Sequence, residues 1–185
     1  MDGWILLWIQ ENLRTPVLNT IFISITHLGD CGFIWIVLSA VLLCFKKTCK
    51  AGICSSIALA IMFITNDVII KHLVNRTRPY EVVEGLIPLV KKLNSPSFPS
   101  GHASSAFAVT LILLILFPKK YSIPALVLVV LISFSRMYVG VHYPTDVLGG
   151  LIVGLLYGFA GYKIGNPVYD FINKRKSYEG VEKGV

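Results

Sequence analysis

Residues 135–164 read SRMYVGVHYPTDVLGGLIVGLLYGFAGYKI, and the change of character inside that stretch decides the fold. From residue 147 to residue 164 the side chains are almost all apolar. That length is close to the roughly 20 residues a helix needs to cross a bilayer. The part before it is different. Ser135-Arg136, then His142, then Asp146 set a cation, an imidazole and a carboxylate at the mouth of the apolar run. Pro144 suits the first position of a helix, which puts Asp146 in the first turn, within reach of His142.

Reading outward, the same kind of apolar run recurs four times upstream. Residues 31–45 stop at Lys46-Lys47, and residues 51–70 carry Asn66 and Asp67 near their end. Residues 103–117 end at Pro118-Lys119-Lys120, and residues 122–134 lead into Ser135-Arg136. Two of these runs, 31–45 and 103–117, need their polar flanks to make a full crossing. Composition agrees: 55% of the residues are hydrophobic and 15% charged, with mean hydropathy +0.71. Soluble domains carry roughly 45–50% apolar and about 25% charged residues. The expected fold is an all-α integral membrane bundle of about five transmembrane helices.

The first 28 residues carry two shorter amphipathic pieces, 3–13 and 17–28, separated by Arg14-Thr15-Pro16. Neither is long enough to span, so both are expected to lie in the membrane interface with Trp4 and Trp8 as anchors. If they cross as one broken span instead, the bundle has six. Residues 3–9 are too short, and lack the basic flank, for a cleavable signal peptide. The chain thus divides as one domain, 1–185: interfacial helices in 1–28, a transmembrane catalytic core in 31–164, and a cytoplasmic tail in 165–185.

The net charge of +7 does not point to nucleic acid, because Lys and Arg sit in short clusters between apolar runs. Lys46, Lys47, Lys50, Lys119, Lys120, Lys174, Arg175 and Lys176 fall on one side of a five-span arrangement, which the positive-inside rule makes cytoplasmic. The opposite, outer side holds the long segment 71–101 and the turn 135–145. That side is also basic, through Lys71, Arg76, Arg78, Lys91, Lys92 and Arg136, which calls for a second explanation. Cys31, Cys44, Cys49 and Cys54 form no Cys-x-x-Cys pair, so no metal site is expected from them.

Three segments supply that explanation. They are Lys71-His72-Leu73-Val74-Asn75-Arg76-Thr77-Arg78-Pro79, then Pro99-Ser100-Gly101-His102, then Ser135-Arg136 with His142 and Asp146. Each begins or ends at an expected span. Gathering Lys71, Arg78 and Arg136 in a low-dielectric place is unfavourable without an anion. The Arg fork suits phosphate oxygens, and Lys adds a point charge. The amides of Ser100, Gly101 and His102 open an apolar helix and are expected to point at the same anion. Asp146 bonded to one nitrogen of His142 leaves the other free to attack phosphorus, and His102 is placed to protonate the leaving oxygen. Each residue taken alone has a plainer role: Asp146 as a first-turn acid, Ser100 as a helix cap, Arg136 as a snorkelling anchor, Lys71 as partner of Asp67, either histidine as interfacial. Those roles together leave the outer cations unexplained.

At these residues the chain resembles the type 2 phosphatidic acid phosphatase superfamily, which includes bacterial undecaprenyl pyrophosphate phosphatases and, more distantly, vanadium haloperoxidases. Lys71-x6-Arg78-Pro79, Pro99-Ser100-Gly101-His102 and Ser135-Arg136-x5-His142-x3-Asp146 match its three motifs in order and spacing. The resemblance implies a phosphatase without metal or other cofactor. Lys71, Arg78, Ser100, Gly101 and Arg136 would hold phosphate, His142 would be the nucleophile, Asp146 its orienting acid and His102 the general acid. Asp67 lies outside those motifs; one helical turn before Lys71 it is expected to orient that lysine, and His72 and Arg76 are expected as further supporting residues. The implied substrate is a membrane lipid phosphate, with a polyprenyl pyrophosphate first and phosphatidic acid or phosphatidylglycerophosphate as the rival. Other classes are vanadate-dependent peroxidation and a non-enzymatic membrane protein with a vestigial site.

Overall fold

Arg14-Thr15-Pro16 separates two helices, α1 (Asp2–Asn12) and α2 (Pro16–Leu28), in the computed structural model, which describes the backbone of residues 2–182 and the side chains of 2–175. Thr15 is extended (φ −132°, ψ 158°) and its hydroxyl accepts the Leu18 amide at 3.2 Å, while Pro16 occupies the first helical turn. Each is a recognised start signal, and together they fix where α2 begins. After Gly29 the chain makes a tight 3-10 turn, Asp30–Gly32, and continues as α3 (Phe33–Cys44). The turn is sharp because Cys31 (φ 52°) and Gly32 (φ 67°) are both left-handed, which Gly32 adopts without penalty.

α2 is joined to Asp30–Cys44 through a 42° bend, and by length and composition the two together suit a broken span or a re-entrant loop. α3 has 12 residues, too few to cross alone. Trp4 and Trp8 of α1 remain exposed.

The next helix, α4 (Cys49–Met62), runs through a π-helical stretch, Phe63–Ile70, into a short α5 (Lys71–Val74). In that stretch the Lys71 amide reaches the Asn66 carbonyl, five residues back. Asn75 closes the helix in the left-handed conformation (φ 45°). A four-residue helix, α6 (Pro79–Val82), interrupts the long segment that follows. The bundle is completed by α7 (Gly101–Leu116), α8 (Lys119–Tyr138) and α9 (Pro144–Glu182). α9 continues unbroken through residue 165, so the polar tail begins as helix; residues 183–185 lie outside the described part.

Among the described residues, three helical stretches are long and apolar enough to cross a membrane by themselves: Cys49–Val82, Lys119–Tyr138 and Pro144–Arg175. The bent α2–α3 pair makes a fourth if its two helices count as one span. α7 has only 16 residues, yet it is buried along nearly all of its length because α4, α8 and α9 pack around it. It therefore stands at the centre of the bundle. On α9, Leu148, Ile152, Leu156 and Phe159 are exposed and share one helical face, as a lipid-facing stripe requires. The opposite face is glycine. A methyl group on Gly154, Gly158, Gly161 or Gly165 would stand 2.5–2.8 Å from an atom of α7 or α4. Small residues of this kind let membrane helices approach closely.

The two ends of the bundle differ. At one end Lys47 and Lys50 share a cavity wall with Phe117 and Pro118, and Lys50 lies 5.9 Å from the Tyr169 ring. At the other end the α2–α3 turn, α5, the start of α7 and the α8–α9 turn come together around a polar pocket.

Candidate active site

The α8–α9 turn builds the first half of the pocket. Gly140 (φ 78°) turns the chain at the end of α8, and the His142 amide hydrogen-bonds back to the Arg136 carbonyl at 3.3 Å. Pro144 opens α9, and the Asp146 carboxylate turns back to accept the Tyr143 amide through Oδ2 at 2.9 Å. The same oxygen lies 3.4 Å from His142 Nδ1. The other, Oδ1, accepts Arg76 Nη1 at 2.6 Å. The carboxylate is fully buried and held on both sides, and it fixes Nδ1 of His142 as the protonated nitrogen. Burial, and then the Arg136 and Arg78 charges, hold His142 down at about 3 against the pull of Asp146. A neutral ring with the proton on Nδ1 presents a lone pair on Nε2, the form needed for attack on phosphorus.

Cations surround that lone pair. Arg78 Nη1 stands 3.4 Å from His142 Nε2. Its guanidinium is aimed by the Ser95 carbonyl at 2.7 Å, the Ser95 hydroxyl at 3.1 Å and the Val141 carbonyl at 2.9 Å. Arg136 is buried, bonded through Nη1 to the Thr26 hydroxyl at 2.5 Å, and its Nε has no partner among the described residues. A buried guanidinium N–H without an acceptor is unfavourable, and an anion oxygen satisfies it. Lys71 is paired with Asp67 one turn earlier. Lys71 lies against the start of α7: a Cβ at Gly101 would stand 3.6 Å from its Nζ, an ordinary contact.

The pocket has a volume of about 310 Å³ and is walled by Lys71, Arg78, Gly101, His102, Arg136 and His142, with Met62 and Phe63 as an apolar side. Six of the residues expected at the site thus meet in one cavity. Two stand behind it. Asp146 lies behind the His142 ring, and Ser100 is fully buried. The Ser100 amide donates to the Asp146 carbonyl at 3.1 Å, so it does not face an anion as the sequence led us to expect. The Ser100 hydroxyl caps the Ala103 amide at 3.5 Å and so fixes the first turn of α7, leaving Gly101 and His102 as the amides that open it.

The supporting residues divide. Arg76 reaches Asp146 and Thr145, and also Asp2 of α1 at 3.2 Å. Asp67 lines the pocket beside Lys71. His72 is exposed on α5 and is not part of the wall. Residues with no motif to flag them also matter. Ser95 aims Arg78, Thr26 holds Arg136, and Asp30 lies 3.2 Å from His102 Nε2. A lone Gly-Asp in a turn carries no sequence signal of that contact.

Comparison with known proteins agrees with this geometry. Residues 50–169 match the PAP2 superfamily. The chain is 35% identical to an undecaprenyl-diphosphatase from Sulfolobus acidocaldarius over 82% of this chain and 72% of that protein. It is also 35% identical to phosphatidylglycerophosphatase B of Bacillus subtilis, over 80% and 75% of the two chains. The crystal structure of a transmembrane PAP2 type phosphatidylglycerolphosphate phosphatase from Bacillus subtilis superimposes with a TM-score of 0.72 at 32% identity, covering 90% of this chain and 85% of the other. A membrane bundle of helices, a cation-walled pocket around a carboxylate-held histidine, and a family match over most of the chain lead to one conclusion: the protein belongs to the PAP2 superfamily and is a membrane phosphatase.

Proposed function

We propose that the protein hydrolyses a lipid diphosphate of the polyprenyl class to its monophosphate, at the outer face of the cell membrane, through a phosphohistidine on His142. The observation that carries the reading is the placing of His142 Nε2, with Asp146 behind the ring and Arg78 3.4 Å in front of it. Lys71, Arg78 and Arg136 hold the terminal phosphate, with the opening amides of α7. His142 Nε2 forms a bond to the terminal phosphorus as the bond to the bridging oxygen breaks. The electron pair leaves on that oxygen, which takes a proton from His102. Water then attacks the phosphohistidine and returns a proton to His102. The P–N bond breaks toward His142, and inorganic phosphate is released.

Support for the polyprenyl diphosphate comes from the relative named undecaprenyl-diphosphatase, which aligns with 82% of this chain. The relative named phosphatidylglycerophosphatase B, equally identical, supports a glycerolipid phosphate as the second reading. In this reading Lys71, Arg78 and Arg136 bind the phosphate and not the lipid, so the lipid must be tested directly. Purified protein in detergent should turn over a polyprenyl diphosphate with a kcat/KM about tenfold or more above that for phosphatidylglycerophosphate. The reverse ranking replaces the first reading with the second.

A further inference from the structure

Beside the pocket lies a second histidine–carboxylate pair, and its acid comes from a segment that carries none of the three motifs. Asp30 lies in the 3-10 turn between α2 and α3. Its Oδ1 is 3.2 Å from His102 Nε2, and its Oδ2 is 2.7 Å from His27 Nδ1. Each carboxylate oxygen thus has its own imidazole. The carboxylate accepts and does not donate, which suits an imidazole whose task is to give a proton from its other nitrogen.

We propose that Asp30 is the positioning residue of the proton donor: it holds the His102 ring in place, favours its protonated form, and is itself held by His27. The proposal rests on the reading of His102 as the acid that protonates the leaving oxygen.

Two structural features support it beyond the contact itself. The left-handed pair Cys31–Gly32 folds the turn so that Asp30 faces the first turn of α7. The ring of His102 is also packed so tightly on Gly29 that a Cβ there would stand 2.5 Å from His102 Cδ2 and 3.0 Å from Ile132 Cγ2. Gly29 has an ordinary backbone conformation (φ −90°), so close approach of the ring accounts for its lack of a side chain. The electrostatics follow the same logic. Arg136 faces His102 across the pocket and opposes a second positive charge. Bound phosphate offsets that cation, and Asp30 supplies a fixed negative charge on the far side of the ring. His142–Asp146 keeps one imidazole as a nucleophile, and His102–Asp30 keeps the other as an acid.

Chemistry separates this role from a merely structural one. In the first step the P–O bond breaks and the electron pair goes to the leaving oxygen. An alkoxide needs the His102 proton at that moment, whereas a 4-nitrophenolate leaves without it. We therefore expect Asp30→Asn in the full-length purified protein to lower kcat/KM for an alkyl phosphate monoester about 10- to 100-fold and for 4-nitrophenyl phosphate less than about threefold. His27→Gln should shift the two substrates in the same unequal way, to a smaller extent. In a His102→Asn background, Asp30→Asn should add no further loss on the alkyl ester. Equal losses on both substrates, no loss on either, or an additive loss in the His102→Asn background overturns the role of Asp30 and leaves the phosphatase reading standing. If His142→Ala retains the full rate, the assignment of His142 as the nucleophile fails, and the reading of His102 and Asp30 built on it falls with it.

Discussion

His142 has one nitrogen held by Asp146 and the other facing Arg78, in a place that water scarcely reaches. Burial pushes its pKa down to about 3, below the ordinary histidine value of about 6.5. The sign matters. A lowered value means the proton is held less tightly, so the neutral ring persists as pH falls through the range where free histidine charges. Nitrogen NMR of histidine-labelled protein without substrate should show one ring, absent in His142→Ala, that stays neutral at pH 5 with Nδ1 protonated. A midpoint near 6.5 for that ring would contradict the environment described. Much of this site could be read in advance because an anion cradle needs particular side chains at particular spacings: Lys71, Arg78, Arg136, His102 and His142 all reach one cavity. Asp30, Ser95 and Thr26 could not, because they act through contacts made only when distant segments meet. The Ser100 amide departs from the sequence expectation for the same reason, since its acceptor, the Asp146 carbonyl, lies on another helix.

At the scale of elements, the close packing of α9 against α7 and α4 sets the distance between the turn carrying His142 and the start of α7 carrying His102. Hydropathy marks residues 147–164 as a span but gives no direction to its faces, since glycine and leucine both count as apolar there. The structure supplies the direction: Gly158 faces the Ala108 carbonyl, which a Cβ would approach to 2.6 Å, while Leu156 faces outward. Gly158→Leu should therefore lower the thermal midpoint in detergent by several degrees, as overpacking by about 1–3 kcal/mol requires. Leu156→Val should leave it unchanged. Equal midpoints for both variants would mean that α9 does not pack as described. Helix ends were the least legible feature. The α2–α3 bend depends on Cys31 and Gly32 turning left-handed, and the π-helical stretch before Lys71 depends on backbone bonding that apolar periodicity does not record.

For the whole molecule, a pocket at one end of the bundle and Lys47 and Lys50 at the other give the protein a polarity that the membrane must match. With the basic end cytoplasmic, the loop carrying Lys92 is outside. A Lys92→Cys substitution, in a background lacking the four native cysteines, should react with a membrane-impermeant thiol reagent on intact cells. Reaction only after the cells are opened would invert the orientation. The bundle of helices was legible from composition and apolar runs; the 42° bend that joins α2 to α3, and the central position of the 16-residue α7, were not, because both depend on which helices pack together. The central claim is that phosphate passes through His142. It is tested most directly by mixing purified protein with a lipid diphosphate labelled in the terminal phosphate and quenching within one turnover. The account predicts an acid-labile, alkali-stable phosphoprotein whose label maps to His142 and is lost in His142→Ala. Label on another residue, or turnover by the wild type with no labelled protein at any quench time, would contradict it.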